Sequence, residues 1–404
     1  MYSNIKNMTE EVLGGYLDLV ATYHDLHSHP ELSFEEWQTA ERISLRLRGE
    51  GIEHRSIAQT GILAKIEGSA EGADLHRAIV LRADIDALPI CEENTIPHAS
   101  EREGVMHACG HDMHTTILLG TLGYLNRHRE ELGCTIFGLF QPGEELNPGG
   151  AKLVLDENPF EGYEVVAVVG NHIEPTLPTG TIGICEGKYM AACDELHFTL
   201  VGKGGHAALR DRIVDPILPT AHLIEALYAI PASAPEGVGQ TIISIGKIEA
   251  AGATNIVPNE VHLEGTMRSF DEAWRREIKE RIGAICKYTE GHFGVTIHHN
   301  FGSGYPAVYN TPSLAQGARA LLGEVFGVVK LGLRPTGEDF GYYTERYPSL
   351  FYRLGVGYEG EEFAAQKAGS LHTPTLLPDT RAIGVGVVAM ALLALDIQKQ
   401  NRDK

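Results

Sequence analysis

Positive charge is scarce in this chain: 33 lysines and arginines stand against 54 aspartates and glutamates, for a formal net charge of -21. Phosphate backbones are bound by basic surfaces, so nucleic acid is excluded as the partner. The acidic surplus does not call for a cationic substrate either, because surface carboxylates mostly serve solubility. No apolar run approaches the ~20 residues that span a bilayer, so no membrane partner is expected. The opening MYSNIKNMTEEVLGGY has neither a basic nor an apolar leader region, so no secretory signal is expected. The six cysteines (Cys91, Cys109, Cys134, Cys185, Cys193 and Cys286) are scattered without a CxxC pair. That spacing speaks against a disulfide framework and for a reducing, cytoplasmic setting. Internal repeats and low-complexity stretches are also missing.

What is present is an ordinary globular balance, 43% hydrophobic and 22% charged over 404 residues, with room for two domains. Residues 9–49 read as a helix to about Asp25 and then a second helix ended by glycine. AIVLRADIDALPI, CTIFGLFQPGEE and YEVVAVVGNHIEP each begin with a short apolar stretch and end in polar residues. Between the first two lies a helical pattern carrying Ile117, Leu118, Leu122 and Leu125 on one face. Strands alternating with helices predict an α/β domain with a largely parallel central sheet. From 187 to 302 the order becomes strand, helix, two strands, helix, strand, the ferredoxin-like α+β arrangement. It reads as an insertion, because FYRLGVG and IGVGVVAMALLALDI return to the earlier style. The expected domains are therefore 1–186 with 303–404, and 187–302.

The segment MHACGHDMH (106–114) places cysteine, histidine and acid together just before a helix. Alone, such a triplet is as easily a buried thiol beside surface histidines. The other candidates shift the balance: QPGEE (141–145) follows TIFGLF, Asn171-His172 follows VVAVVG, and Leu371-His372 comes after FYRLGVG. Ligand sites of open α/β sheets gather outside the carboxyl ends of the strands, so Cys109, His111, Glu145, His172 and His372 are expected to converge. This mixed donor set suits zinc, and also manganese, cobalt or nickel. Five protein ligands exceed what one catalytic zinc with an open position takes, so two divalent ions sharing a ligand and a water fit better. Glu145 is assigned to metal, and Glu144 to general base and then general acid. Asp86, in RADIDALP (82–89) with Arg82 and Asp84, could support a metal-bound imidazole or cap the next turn.

These segments together resemble the aminoacylase/carboxypeptidase metallopeptidases. The match is to their amidohydrolase branch, which includes hippurate hydrolases, auxin-conjugate hydrolases and N-acetyl-diaminopimelate deacetylases. The resemblance is carried by HDLHSHPELSFEE (24–36), RADIDALPI (82–90), MHACGHDMH, QPGEE, GKGGHAA (202–208), TNIVPNEVHLEGTMR (254–268), GEDFGYY (337–343) and LHTP (371–374), in family order along nearly the whole chain. It implies a metallopeptidase-like catalytic domain with a dinuclear site, an inserted lid domain that also mediates a homodimer, and hydrolysis of a small-molecule N-acyl amino acid. By position it assigns the same five metal ligands and the same base. It further implies that His206 reaches the partner's active site and polarises the scissile carbonyl. It also makes Asn255 and Arg268 holders of the substrate carboxylate, with a surface salt bridge as the plainer alternative for the arginine. The chain departs from the branch after GGHAA, where Leu209-Arg210-Asp211 replaces the usual Pro-His, and NHIEP and LHTPTLLPDT are mild variants. A dipeptidase or carboxypeptidase on the same site, and a non-catalytic metal- or metabolite-binding protein, are the competing readings.

Overall fold

The computed structural model describes residues 2–302, 304–360 and 367–400. It divides into two compact units, Met1–Gly187 with Tyr309–Gly332 and Tyr342–Lys404, and Lys188–Val308 with Leu333–Gly341. Ser303, where the sequence puts the return to the first domain, lies outside the described residues. The short Leu333–Gly341 segment, counted with the first domain from sequence, groups with the second unit.

The first unit is built on an eight-stranded mixed sheet. Its strands lie in the order Glu53–Ile57, Gly61–Glu67, Thr135–Gln141, Arg77–Asp84, Glu164–Pro178, Ser349–Gly357, Thr181–Ile184 and Gly327–Lys330. The four central strands pair in parallel. Every residue of Thr135–Gln141 is buried, and so is nearly all of Ser349–Gly357, as expected of strands covered on both faces. The helix His111–Arg127 is buried along most of its length and packs against the closing helix Ala382–Gln400. That closing helix corrects one expectation. Its Ala382–Lys399 window is long and apolar enough to cross a bilayer, but 83% of it is buried within the protein, as for a core helix.

The N-terminal helical region also differs from its expected form. Tyr2–Gly14 and Tyr16–Ser28 are separate helices, because Gly14 and Gly15 weaken the helix where it would have to continue. The break frees Tyr16–Ser28 to bring His27 to the start of His111–Arg127. There the His27 ring meets Asp112 Oδ2 at 2.6 Å and Glu92 Oε1 at 3.2 Å. Burial opposes charge on this ring, yet the two carboxylates raise its pKa to about 10.

The second unit is a four-stranded antiparallel sheet in the order Ile242–Glu249, Glu260–Ser269, Ala192–Val201, Thr296–Phe301. Numbered along the chain, that is 2-3-1-4, the ferredoxin-like order. Ala192–Val201 alternates buried and more exposed residues, so one face packs against Ile217–Ala229 and Glu272–Phe293 through Phe198, Leu200, Leu223, Trp274 and Ile278. Asp271 caps the long helix by accepting from Trp274 N at 2.9 Å, worth about 1 kcal/mol.

Candidate active site

The parallel strands end at unequal heights, and this opens the site. Arg77–Asp84 makes its last register pair with its neighbour at Arg82–Gly170, while the neighbouring strand runs on to Pro178. His172 therefore stands two residues beyond the end of that pairing, still inside its own strand rather than after it as the sequence suggests. Its Nδ1–H donates to Ile173 O at 2.8 Å, which turns Nε2 toward Cys109 Sγ, 3.2 Å away. Burial, reinforced by the Arg353 guanidinium, holds the His172 pKa well below the usual histidine range, so the ring is neutral with a lone pair to offer.

Cys109 and His111 flank Gly110, whose φ of 84° lies in the left-handed region. A side chain there would also meet Ile173 Cδ1 at 2.3 Å, so glycine is required twice over. The turn starts the helix at His111, and His111 Nδ1 donates to Asp86 Oδ1 at 3.1 Å. That fixes the ring with Nε2 inward, where it is buried and has no hydrogen-bond partner among the described residues. Asp86 Oδ2 accepts from Glu145 N at 3.0 Å, so one carboxylate orients two candidate ligands. The orienting role for Asp86, rather than a cap, is the one this geometry supports. Glu145 Oε1, also buried without a hydrogen bond among the described residues, lies 3.9 Å from His111 Nε2 and 3.2 Å from His372 Nε2. His372 is itself left-handed, at φ 58°, and its N–H donates to Ala108 O at 2.7 Å. A histidine held in that region signals a position over-determined by its surroundings.

Potential ligand atoms of Cys109, His111 and His172 lie within 4.8 Å of one another, and so do those of Cys109, Glu145 and His372. Donors around one tetrahedral zinc sit roughly 3.3–3.8 Å apart, close to the separations here. Two such groups sharing Cys109 make a cradle for two cations. Its charge balance points the same way. The Cys109 sulfur and the Glu145 carboxylate beside it raise the His372 pKa to about 10. His111 is raised as well, because the Asp84 charge and the hydrogen bond to Asp86 outweigh its burial. The imidazoles take up the positive charge that the carboxylates demand, and a bound dication would supply it instead and release those protons. The residues fit a metal pair.

A third potential cluster, Asp84, His111 and His114, carries no such case. His114 Nε2 accepts from Ile173 N at 2.9 Å, so its proton is on Nδ1, which donates to Asp84 Oδ1 at 2.6 Å. Both ring nitrogens are spoken for. His114 braces the His172 strand and is a residue that reading the sequence missed; its only signal was its spacing of three from His111 on a helix. Arg82 is similarly structural, bonding Asp84 and Gln141 in full burial. Glu144 is buried, and its carboxylate reaches within 4.8 Å of ligand atoms of both His111 and Glu145. In the second unit, Ile256 pairs with His206, and Ala207 N donates to Asn255 O, so the exposed His206 and Asn255 are neighbours. Arg268 stands on Glu260–Ser269, opposite Cys193.

Residues 80–394 match the model of peptidase family M20/M25/M40. The chain belongs to this family. Among curated relatives of this M20 protein, N-acetylcysteine deacetylase of Bacillus subtilis (strain 168) is 35% identical, covering 93% of this chain and 96% of its own. N-acyl-L-amino acid amidohydrolase of Geobacillus stearothermophilus is 38% identical over 76% of this chain and 80% of its own. A solved M20 structure from Bacillus subtilis, described as a dinuclear metal binding peptidase, aligns with a TM-score of 0.82 at 32% identity, covering 96% and 99% of the two chains. The M20 fold, an α/β sheet domain with a smaller antiparallel domain, is the one expected from sequence.

Proposed function

We propose that this M20 protein hydrolyses the amide bond of N-acyl amino acids, releasing a carboxylic acid and a free amino acid. The observation that carries the reading is Glu144, buried beside a cradle in which Cys109 is common to two groups of metal-competent donors. Relatives named for deacetylation of N-acetylcysteine and hydrolysis of N-acyl amino acids support the substrate class.

Cys109, His111, Glu145, His172 and His372 would hold two divalent ions, zinc or else manganese, cobalt or nickel, which would supply the Lewis acidity that polarises the amide carbonyl and acidifies water. Glu144 takes the proton from the attacking water on a carboxylate oxygen. It gives that proton to the leaving nitrogen as the C–N bond breaks, so one residue serves as base and then acid. Asp86 keeps His111 and the Glu145 backbone in place throughout. We further propose a homodimer through the second unit, in which His206 of the partner subunit donates to the carbonyl oxygen as negative charge builds there. Asn255 and Arg268 hold the carboxylate of the amino acid. Six cysteines, none of them in a disulfide, suit a reducing, cytoplasmic compartment.

With each of the four metals in turn, N-acetyl and N-benzoyl amino acids are expected to be cleaved at least about tenfold faster than dipeptides. Faster dipeptide cleavage would make the protein a peptidase, and no turnover with any metal would make it a binding protein. The shared-site arrangement has its own test. Glu144→Gln and His206→Ala proteins, each inactive alone, are expected to recover about a quarter of wild-type turnover when mixed and allowed to exchange subunits at random. A mixture that stays inactive while exchange is demonstrated means that His206 acts within its own subunit or not at all.

A further inference from the structure

The motif HDLHSHPELSFEE has no part in the cradle or in the proton transfers, yet its Phe34 and Glu36 lie against the turn that carries Glu144. Glu36 is fully buried. Its Oε1 accepts from Gly143 N at 2.8 Å, and its Oε2 from Thr60 Oγ1 at 2.5 Å. On the other side of Gly143, its carbonyl accepts from Gly150 N at 3.0 Å, so both peptide groups of this residue are held. Gly143 is left-handed at φ 61°, and a side chain on it would come within 2.3 Å of the Phe34 ring. Phe34 is left-handed too, at φ 64°. Ser33 Oγ donates to Asp86 Oδ2 at 2.7 Å, the same oxygen that holds Glu145 N.

The segment is itself anchored. Glu31 Oε2 accepts from Thr39 N and Oγ1 at the start of helix Trp37–Gly49, and Glu31 O accepts from Ala87 N at 2.8 Å. We infer that Ser33, Phe34 and Glu36 form a clamp that fixes the Pro142-Gly143 turn, with Glu36 a positioning residue that sets where the Glu144 carboxylate stands relative to substrate.

The clamp explains why a carboxylate is retained in so unfavourable a place. Burial, with the nearby Asp86 charge, pushes Glu36 up to about 7, so keeping it there is costly. A group kept at such a cost for stability alone would be replaceable by an apolar side chain. A group kept to hold one backbone N–H would not be.

This inference rests on Glu144 being the base, and the experiment separates the two. Wild type, Glu144→Gln, Glu36→Met and Glu36→Gln are prepared as holoenzymes and compared for kcat, KM, metal content and melting temperature. Met fills the volume without an acceptor, whereas Gln keeps a carbonyl for Gly143 N. A misplacement of about 1 Å in catalytic geometry costs on the order of 10²-fold. Glu36→Met is therefore expected to lose about that much kcat, with KM and two-ion stoichiometry unchanged, while Glu36→Gln stays within roughly tenfold of wild type. Full activity in Glu36→Met, equal losses in Met and Gln, or a loss that tracks metal content would overturn the clamp. Should Glu36→Met not fold, Thr60→Val decides: a severalfold fall in kcat at constant KM upholds the clamp, and no change overturns it. If Glu144→Gln itself keeps wild-type turnover, it is the assignment of the base that fails.

Discussion

Replacing Glu144 by glutamine is expected to lower turnover by about 10³-fold or more while leaving fold and metal content intact. The expectation follows from separating what the side chain does chemically from what it does structurally. Glutamine matches glutamate in size and keeps one acceptor oxygen, so the buried position of Glu144 is filled as before. What it loses is the ability to take a proton from water and return it to nitrogen. On the proposed assignment the ligand is Glu145, whose Oε1 lies 3.2 Å from His372 Nε2, so two ions per chain are expected by elemental analysis. A 10³-fold loss corresponds to about 4 kcal/mol of transition-state stabilisation, which should fall on kcat with KM nearly unchanged. Activity within tenfold of wild type would remove Glu144 from the proton transfers. A loss of metal would instead make it a ligand.

The two acidic neighbours Glu144 and Glu145 also show how far the sequence alone could lead. The composition of the donor set and its position after apolar strands were legible, because sheet topology sends strand ends to one edge whatever the intervening residues. The parallel sheet and the 2-3-1-4 order of the smaller unit followed from element succession for the same reason. Local geometry was harder. His172 falls inside its strand because Glu164–Pro178 outruns its neighbour, a difference in length that periodicity cannot reveal. The contact of Glu36 with Gly143 joins residues 107 apart in the chain through one peptide N–H. Nothing in the local pattern of either segment announces it, and a carboxylate in SFEE reads as a surface acid. His114 was hidden for another reason: it is one of three histidines in MHACGHDMH, and only the donor from Ile173 N assigns its tautomer and its bracing role.

Removal of the Cys109 sulfur is the second large effect, and it tests the sharing of one ligand between two centres. Cys109 belongs with His111 and His172 in one group and with Glu145 and His372 in the other. His372 belongs to only one. Losing a single ligand or its support typically weakens metal binding by 10–100-fold or more, so Cys109→Ala is expected to fall from two ions to well below one per chain after dialysis. His372→Ala should settle near one ion, and His114→Gln, altered at a ring with no free nitrogen, should retain two. Burial and the Glu145 carboxylate push the Cys109 thiol above its ordinary pKa when no cation is present, so loading wild type should release a proton that Cys109→Ala does not. Turnover is expected to drop by at least about 10²-fold in Cys109→Ala, since the water lacks both activating charges. If Cys109→Ala keeps two ions, the sulfur is a bystander and the two groups of donors are independent sites.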